Sequence, residues 1–193
     1  MEPIFDVLVT LAGLTALALA GWSARGHFYS EKMPFGSMII AIVILVSVAL
    51  DIYLFWTEPQ PLLPQLLGFL IMVAGVALFF ITISASRNAR LRMAFDEGDP
   101  RGLVQQGPYR YVRHPFYVSY IIFFSGLALA TWALIALVPF IVLVVLYVLA
   151  ARMEERLFAG TEMAGAYEAY RQQTGFFFPK LSSITPARLG NRA

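Results

Sequence analysis

Residues 116–151 read FYVSYIIFFSGLALATWALIALVPFIVLVVLYVLAA. No charged residue occurs in these 36 positions. A helix crosses the hydrocarbon core of a bilayer with about 20 residues, at ~1.5 Å per residue. The stretch is too long for one ordinary span and short for two. A tight helical hairpin fits, with spans at 116–131 and 132–151, a turn near Thr131-Trp132, and Pro139 adjusting the return helix.

Working outward, three more apolar runs precede it, at 4–24, 35–56 and 62–83. The first could pass for a secretory signal. Its leading residues carry Glu2 and Asp6 and no base, so a retained span is expected. Short polar links follow the first two runs, the second link holding Pro59, Pro61 and Pro64. The prediction is an all-α polytopic membrane protein with five transmembrane helices, the last two a tight hairpin, in a single integral membrane domain over 1–193. Composition agrees: 59% of the chain is hydrophobic and 13% charged, against about 45–50% and about 25% in soluble domains.

The bases then give sidedness. Arg25 and Lys32 lie in the first link. Arg87, Arg90, Arg92, Arg101, Arg110 and Arg113 lie in the loop 84–115. Arg152, Arg156, Arg171, Lys180, Arg188 and Arg192 lie in the tail 152–193. With five spans, all of them fall on one face, opposite Glu2, Asp6, Asp51 and Glu58. The positive-inside rule predicts that the loop and the tail are cytoplasmic and the N-terminus outside. A four-span arrangement would separate loop from tail and destroy the asymmetry.

Several chemistries are excluded or unsupported. The chain has no cysteine, which removes disulfides, thiolate metal sites and a cysteine nucleophile. Its two histidines, His27 and His114, are far apart and in no metal-ligand spacing. No metal site is expected, and no nucleic-acid partner. The expected partner is the lipid bilayer.

Two polar segments are long enough to build a site. The loop closes with RGLVQQGPYRYVRHPFY over 101–117. Gly107-Pro108 signals a turn, and Pro115 suits a first helical turn. Taken blandly, Arg110 and Arg113 are membrane anchors, Tyr109, Tyr111 and Tyr117 are interface aromatics, and His114 caps a helix. The tail opens with Arg152-Met153-Glu154-Glu155-Arg156. Adjacent carboxylates beneath anionic headgroups are unexpected; the ordinary account is a solvated helix end with Arg152 and Arg156 as neighbours one turn apart. Thr174-Gly175-Phe176-Phe177-Phe178-Pro179-Lys180 either lies back on the membrane or lines an apolar pocket. Asp6 and Asp51 read as outer-end carboxylates snorkelling to water. Gly126-x-x-x-Ala130 reads as a close-packing stripe within the hairpin.

The ordered set Leu103-Val104, Gly107, Tyr109, Arg113-His114-Pro115-x-Tyr117, Glu154-Glu155, Tyr167, Tyr170 and Phe178-Pro179 resembles the isoprenylcysteine carboxyl methyltransferases and their relatives, the phospholipid N-methyltransferases. It covers roughly 101–180. The resemblance implies S-adenosylmethionine as methyl donor, held in a cytosolic pocket. It implies Leu103, Val104, Tyr109, His114, Pro115 and Tyr117 as donor contacts, with Glu155 and Glu154 on a polar group of the donor. Arg152 is the nearest counterpart of the family's substrate-facing arginine, and His114 a candidate catalytic group if the acceptor is an amine. The acceptor implied is lipophilic or lipidated, a prenylcysteine-type carboxylate or a phospholipid amine. Three features depart from the pattern: Arg101 in place of a histidine, Phe176 and Phe177 in place of an arginine before Phe-Pro, and Tyr167 about two residues farther from the glutamates. Two alternatives stand beside this. An NADPH-dependent sterol or lipid reductase shares a similar Arg-His-Pro-x-Tyr segment, although Phe116, Ser119 and Tyr120 disfavour it. A non-enzymatic membrane scaffold could keep the same fold.

Overall fold

A computed structural model describes residues 3–180 apart from 90 and 101. Expectations placed on Glu2, Arg90, Arg101, Arg188, Arg192 and the tail beyond 180 lie outside the described residues. The described chain is helical: α1 (Pro3–Gly26), α2 (Phe35–Thr57), α3 (Leu62–Ser86), α4 (Pro115–Thr131), α5 (Leu137–Ala159) and α6 (Ala164–Gln173), with 3-10 turns at Gly107–Arg110 and Leu134–Ala136. Two isolated bridges, Tyr29 with Arg92 and Val112 with Gly175, tie loops together.

Four segments are long and apolar enough to cross a membrane: Ile4–Gly26, Phe35–Thr57, Leu62–Ser86 and Leu134–Ala159. The fifth apolar helix, α4, has 17 residues, about 25 Å at ~1.5 Å per residue. It is largely enclosed by protein, with buried residues along its whole length from Pro115 to Thr131.

The inward faces of α2 and α3 are stripes spaced three and four residues apart. On α2 they include Ser37, Ile40, Ile44, Ser47, Val48 and Asp51. On α3 they include Gln65, Gly68, Met72, Gly75, Phe79 and Thr82. The opposite faces expose Ile42, Leu45, Leu70, Val73 and Ile81. Small and polar side chains gather on the inward faces, beside Ile40, Met72 and Phe79, while the outward faces are apolar. That inversion suits hydrocarbon, where apolar surface has no cost and buried backbones gain from close approach.

The sequence expectation and the structure differ in three places. The return helix begins at Leu137 rather than 132, because Trp132 adopts a left-handed conformation (φ 52°) and the turn Leu134–Ala136 intervenes. As the helical reading of Arg152 to Arg156 implies, it continues past 151, to Ala159. Hydropathy marks where a helix leaves the apolar phase, not where it stops, and Arg, Met, Glu and Leu are good helix formers. The Gly126-x-x-x-Ala130 stripe closes against α3, not within the hairpin. A Cβ built on Gly126 would stand 2.6 Å from the Gly68 carbonyl oxygen, and one on Gly68 would strike Gly126 and Ala130. Finally, Asp51 does not snorkel. It is 2% exposed and accepts hydrogen bonds from Thr131 Oγ1 at 2.9 Å and Ser47 Oγ at 3.4 Å. A buried carboxylate so partnered links α2 to the end of α4.

Hydrogen bonds also establish which helix ends share a level. Gln65 Nε2 donates to Asp6 Oδ1 at 2.6 Å, on the same side as Asp51 and Thr131. At the other side His27 Nε2 lies 3.0 Å from Ser86 Oγ. There Ser37 Oγ also donates to the Ala94 carbonyl at 2.5 Å. The base-carrying link, loop and tail therefore meet at one end of the bundle.

Candidate functional site

The loop between α3 and α4 is folded around Asp96. Its carboxylate receives Ser30 Oγ at 2.5 Å, the Gly98 N–H at 2.8 Å and Arg92 Nη1 at 3.0 Å. Burial opposes its charge, but these donors win and hold its pKa below the ordinary value. Phe95 takes a left-handed backbone (φ 61°) that lays its ring on Gly36, where a Cβ would collide with it. Gln106 Nε2 anchors the loop's far end on the Ala85 carbonyl at 2.8 Å. Gly107, at φ +58°, is a glycine because few side-chain-bearing residues accept that conformation.

The loop roofs a cavity of about 670 Å³. Of the residues that the sequence singled out, Leu103, Val104, Tyr109, His114, Pro115, Tyr117 and Glu154 all line it. Glu155 stands behind His114 and out of the lining. Arg152 is exposed and also outside the lining. The arginine that pairs with Glu155 is Arg113, an anchor on composition and a member of the Arg113-His114-Pro115-x-Tyr117 motif.

His114 occupies the N-cap position of α4 but makes no capping bond. Its ring is turned to α5 instead. Nδ1 lies 3.4 Å from Glu154 Oε2 and Nε2 lies 3.1 Å from Glu155 Oε1. A neutral imidazole has one donor nitrogen; two carboxylates at both nitrogens favour the doubly protonated form. Burial opposes the charge, yet the hydrogen bonds and charges of Glu154 and Glu155 outweigh it and raise the His114 pKa. The bland picture of His114 as a helix cap fails for this geometric reason.

Arg113 joins three segments. Its Nε is 2.6 Å from Glu155 Oε1, Nη1 donates to the Thr174 carbonyl at 2.7 Å, and its guanidinium sits 5.6 Å from the Phe176 ring centre. Backbone bonds reinforce the join: Arg113 N–H to the Gly175 carbonyl at 2.8 Å and Gly175 N–H to the Tyr111 carbonyl at 3.0 Å. Phe176 and Phe177 pack edge-on to His114, while Phe178 stays exposed. The Phe run thus divides: two rings buttress the site from behind and one points outward.

An aromatic column descends from His114 into the bundle. The His114 and Tyr117 rings stack at 5.9 Å, Tyr117 and Tyr147 at 5.3 Å, and Tyr120 lies 5.6 Å from Tyr147. The Tyr117 hydroxyl donates to Glu154. The Tyr147 hydroxyl is buried with no hydrogen-bond partner, and its side chain lines the cavity. Such an orphan usually has a ligand or water as its missing partner. From α6, Tyr170 Oη donates to the Tyr109 carbonyl at 2.7 Å, and Tyr167 stacks on Phe158 at 4.3 Å. Burial raises the pKa of Tyr109, Tyr167 and Tyr170, so all three stay neutral donors.

Sequence reasoning missed Tyr120 and Tyr147. Helical spacing was the available signal: Tyr147 stands seven residues before Glu154 and Tyr120 three after Tyr117, the offsets that share one face. It also missed the cavity's far wall, formed by Leu17, Gly21 and Arg25 of α1 with Ile40, Ile44 and Leu45 of α2. Among the described residues, no group of three or more His, Asp or Glu is placed to hold a metal ion.

The model of the phospholipid methyltransferase family matches residues 63–161. The chain belongs to the phospholipid methyltransferase family. No curated protein and no solved structure matches it. The match runs from the first turn of α3 to just beyond α5. It takes in Tyr109, Arg113, His114, Tyr117, Tyr147 and both glutamates. In this family member the polar half of the cavity is therefore built by the matched region, while α1, α2 and α6 complete it from outside.

Proposed function

We propose that the chain transfers a methyl group from S-adenosylmethionine to the amine of a membrane phospholipid. The observation that carries this is one cavity with two characters. Its upper end presents Glu154, His114 and the tyrosine hydroxyls, and its lower end is apolar and lies between membrane helices. A charged, water-soluble donor and a lipid acceptor can each approach from the phase that suits it.

The residues present fit such a donor. The Tyr147 hydroxyl lacks a partner. Tyr117, Tyr120 and Tyr147 offer aromatic faces, and Glu154 a carboxylate, to a cationic sulfonium. Leu103, Val104 and Tyr109 would border its uncharged parts, and Pro115 would shape the floor. Glu155 acts through His114 and Arg113 rather than by touch. When bound, the donor supplies a methyl activated on sulfonium: the amine lone pair forms the new N–C bond as the C–S pair returns to sulfur. Alignment of the two can supply ~7–11 kcal/mol of the barrier. A phospholipid ammonium must first lose a proton. Glu154 faces the cavity and is the candidate acceptor, because both His114 ring nitrogens are turned to carboxylates and favour carrying protons. His114 then serves to position Glu154 and Glu155. Arg152, off the cavity, has no part in this scheme.

The membrane arrangement proposed is five spans, with α4 and α5 as the hairpin and the site at the cytoplasmic face. The clustering of base-carrying segments at one end of the bundle supports it. The reductase alternative is disfavoured by Ser119, which donates to the Phe116 carbonyl at 2.7 Å and backs onto Gly75 of α3. Calorimetry on detergent-purified protein tests the proposal. S-adenosylmethionine should bind and NADPH should not, and added phosphatidylethanolamine should gain methyl groups from labelled donor. Binding of NADPH with no methyl transfer would replace the proposal with the reductase.

A further inference from the structure

Arg25 ends α1, outside the family match. Its guanidinium does not reach away from the helix end. A Cβ on Gly21 would stand 3.7 Å from Arg25 Nη1, so the side chain folds back along α1, and both residues line the cavity. Side chains on a helix lean toward its N-terminus, and Arg25 follows that direction. Arg25 is an exposed residue of that lining, next along α1 to the apolar wall of Leu17 and Ala20. Among the described residues, the other two arginines lining it are both in ion pairs, Arg92 with Asp96 and Arg113 with Glu155; Arg25 is in none.

Below Arg25 the wall is apolar, and it opens sideways. Leu45 of α2 lines the cavity and is 57% exposed. Ala41, one turn before it, is likewise exposed and in the lining. A face at once inside a cavity and open at mid-helix of a membrane span is open to lipid. Charge and shape together call for an anion at the level of Arg25 with hydrocarbon directly beneath it.

We propose that Arg25 and the α1–α2 seam form the acceptor subsite, Arg25 holding the phosphodiester of a phospholipid while an acyl chain leaves through the seam past Ala41 and Leu45. This rests on the lipid-methyltransferase reading for the reaction but not for the binding. It also divides labour along the chain: the family-matched region handles the donor, and the helices before it select the acceptor.

The test uses the full chain in detergent. Retention of palmitoyl-oleoyl phosphatidylethanolamine is followed by native mass spectrometry, and donor affinity by calorimetry. Arg25→Gln should lower retention about tenfold or more, the scale of losing a charge-assisted bond, while Arg25→Lys keeps most of it. Ala41→Trp should also expel the lipid by filling the seam. Donor affinity should be unchanged in all three. Arg156→Gln, an exposed cation off the cavity, should match the parent. Retention that survives Arg25→Gln overturns the subsite. So does equal retention of the matching diacylglycerol by the parent, or preference for farnesylcysteine, whose anion is a carboxylate. A fall in donor affinity with Arg25→Gln overturns it too, placing Arg25 in the donor site. Arg25-dependent retention without methyl transfer supports the subsite and defeats the methyltransferase reading, so the two failures are distinct.

Discussion

Arg113 and Glu155 are 42 residues apart and meet at 2.6 Å, Nε to Oε1, with side chains only 9% and 16% exposed. The pair clamps the mouth of α4 to the end of α5, and Arg113 carries the clamp on to Thr174. Glu155 is therefore first a structural partner of Arg113, and only through it and His114 a part of the site.

Glu155→Gln should cost stability. It leaves the Arg113 charge buried without its counter-ion, an arrangement that costs roughly 3–5 kcal/mol when complete; residual exposure puts the expected loss toward the low end. Glu154→Gln should cost much less, since Glu154 pairs with no arginine among the described residues. It should instead weaken donor binding. Thermal melts and donor calorimetry on both variants check this. Equal melting temperatures would mean that the clamp does not hold the fold.

The His114 cluster should give a pH dependence of one sign. Its folded pKa lies above the ordinary value of 6.5, so the folded state holds the proton more tightly than the unfolded state. The stabilisation is complete below about pH 6.5 and is lost as pH rises through the folded pKa. His114→Gln should flatten that part of the profile. Denaturation at a series of pH values decides it; a parent that gains stability from pH 6.5 upward, with the gain absent in His114→Gln, would reverse the sign.

Gly126→Ala should impair folding. The new methyl would press on the Gly68 carbonyl and on the Met72 backbone N at 2.8 Å, and overpacking costs typically ~1–3 kcal/mol or more. Gly165→Ala on α6 is the contrast, because nothing lies within 4 Å of its Cβ position. There the smaller unfolded-state entropy should stabilise by about 0.4–1 kcal/mol. Folded yield and melting temperature read both.

Sidedness can be tested with single cysteines, since the chain has none of its own. Glu58→Cys after α2 should react with an impermeant maleimide on intact cells. Gln105→Cys in the loop over the cavity should react only after lysis. The reverse pattern would invert the proposed orientation.

The sequence by itself determined a good deal. Apolar runs of membrane-crossing length pointed to an all-helical membrane protein, because lipid leaves the backbone few other ways to satisfy its hydrogen bonds. The one-sided bases anticipated the end at which link, loop and tail meet. The spaced motif located Tyr109, His114, Tyr117 and Glu154 around one cavity before any geometry was known. Tertiary structure alone decided the rest. A span that is apolar all round carries little amphipathic signal, so its inward face could not be read from hydropathy. Packing revealed it in Ser47, Asp51, Gly68 and Gly75. Periodicity also says nothing about pairs far apart in the chain. Hence Arg113 could not be matched to Glu155, nor Thr131 to Asp51. Nor could Arg25 be placed at the cavity, since that depends on how α1 and α2 pack beside the loop. These contacts arise from how helices cross, which local sequence constrains only weakly.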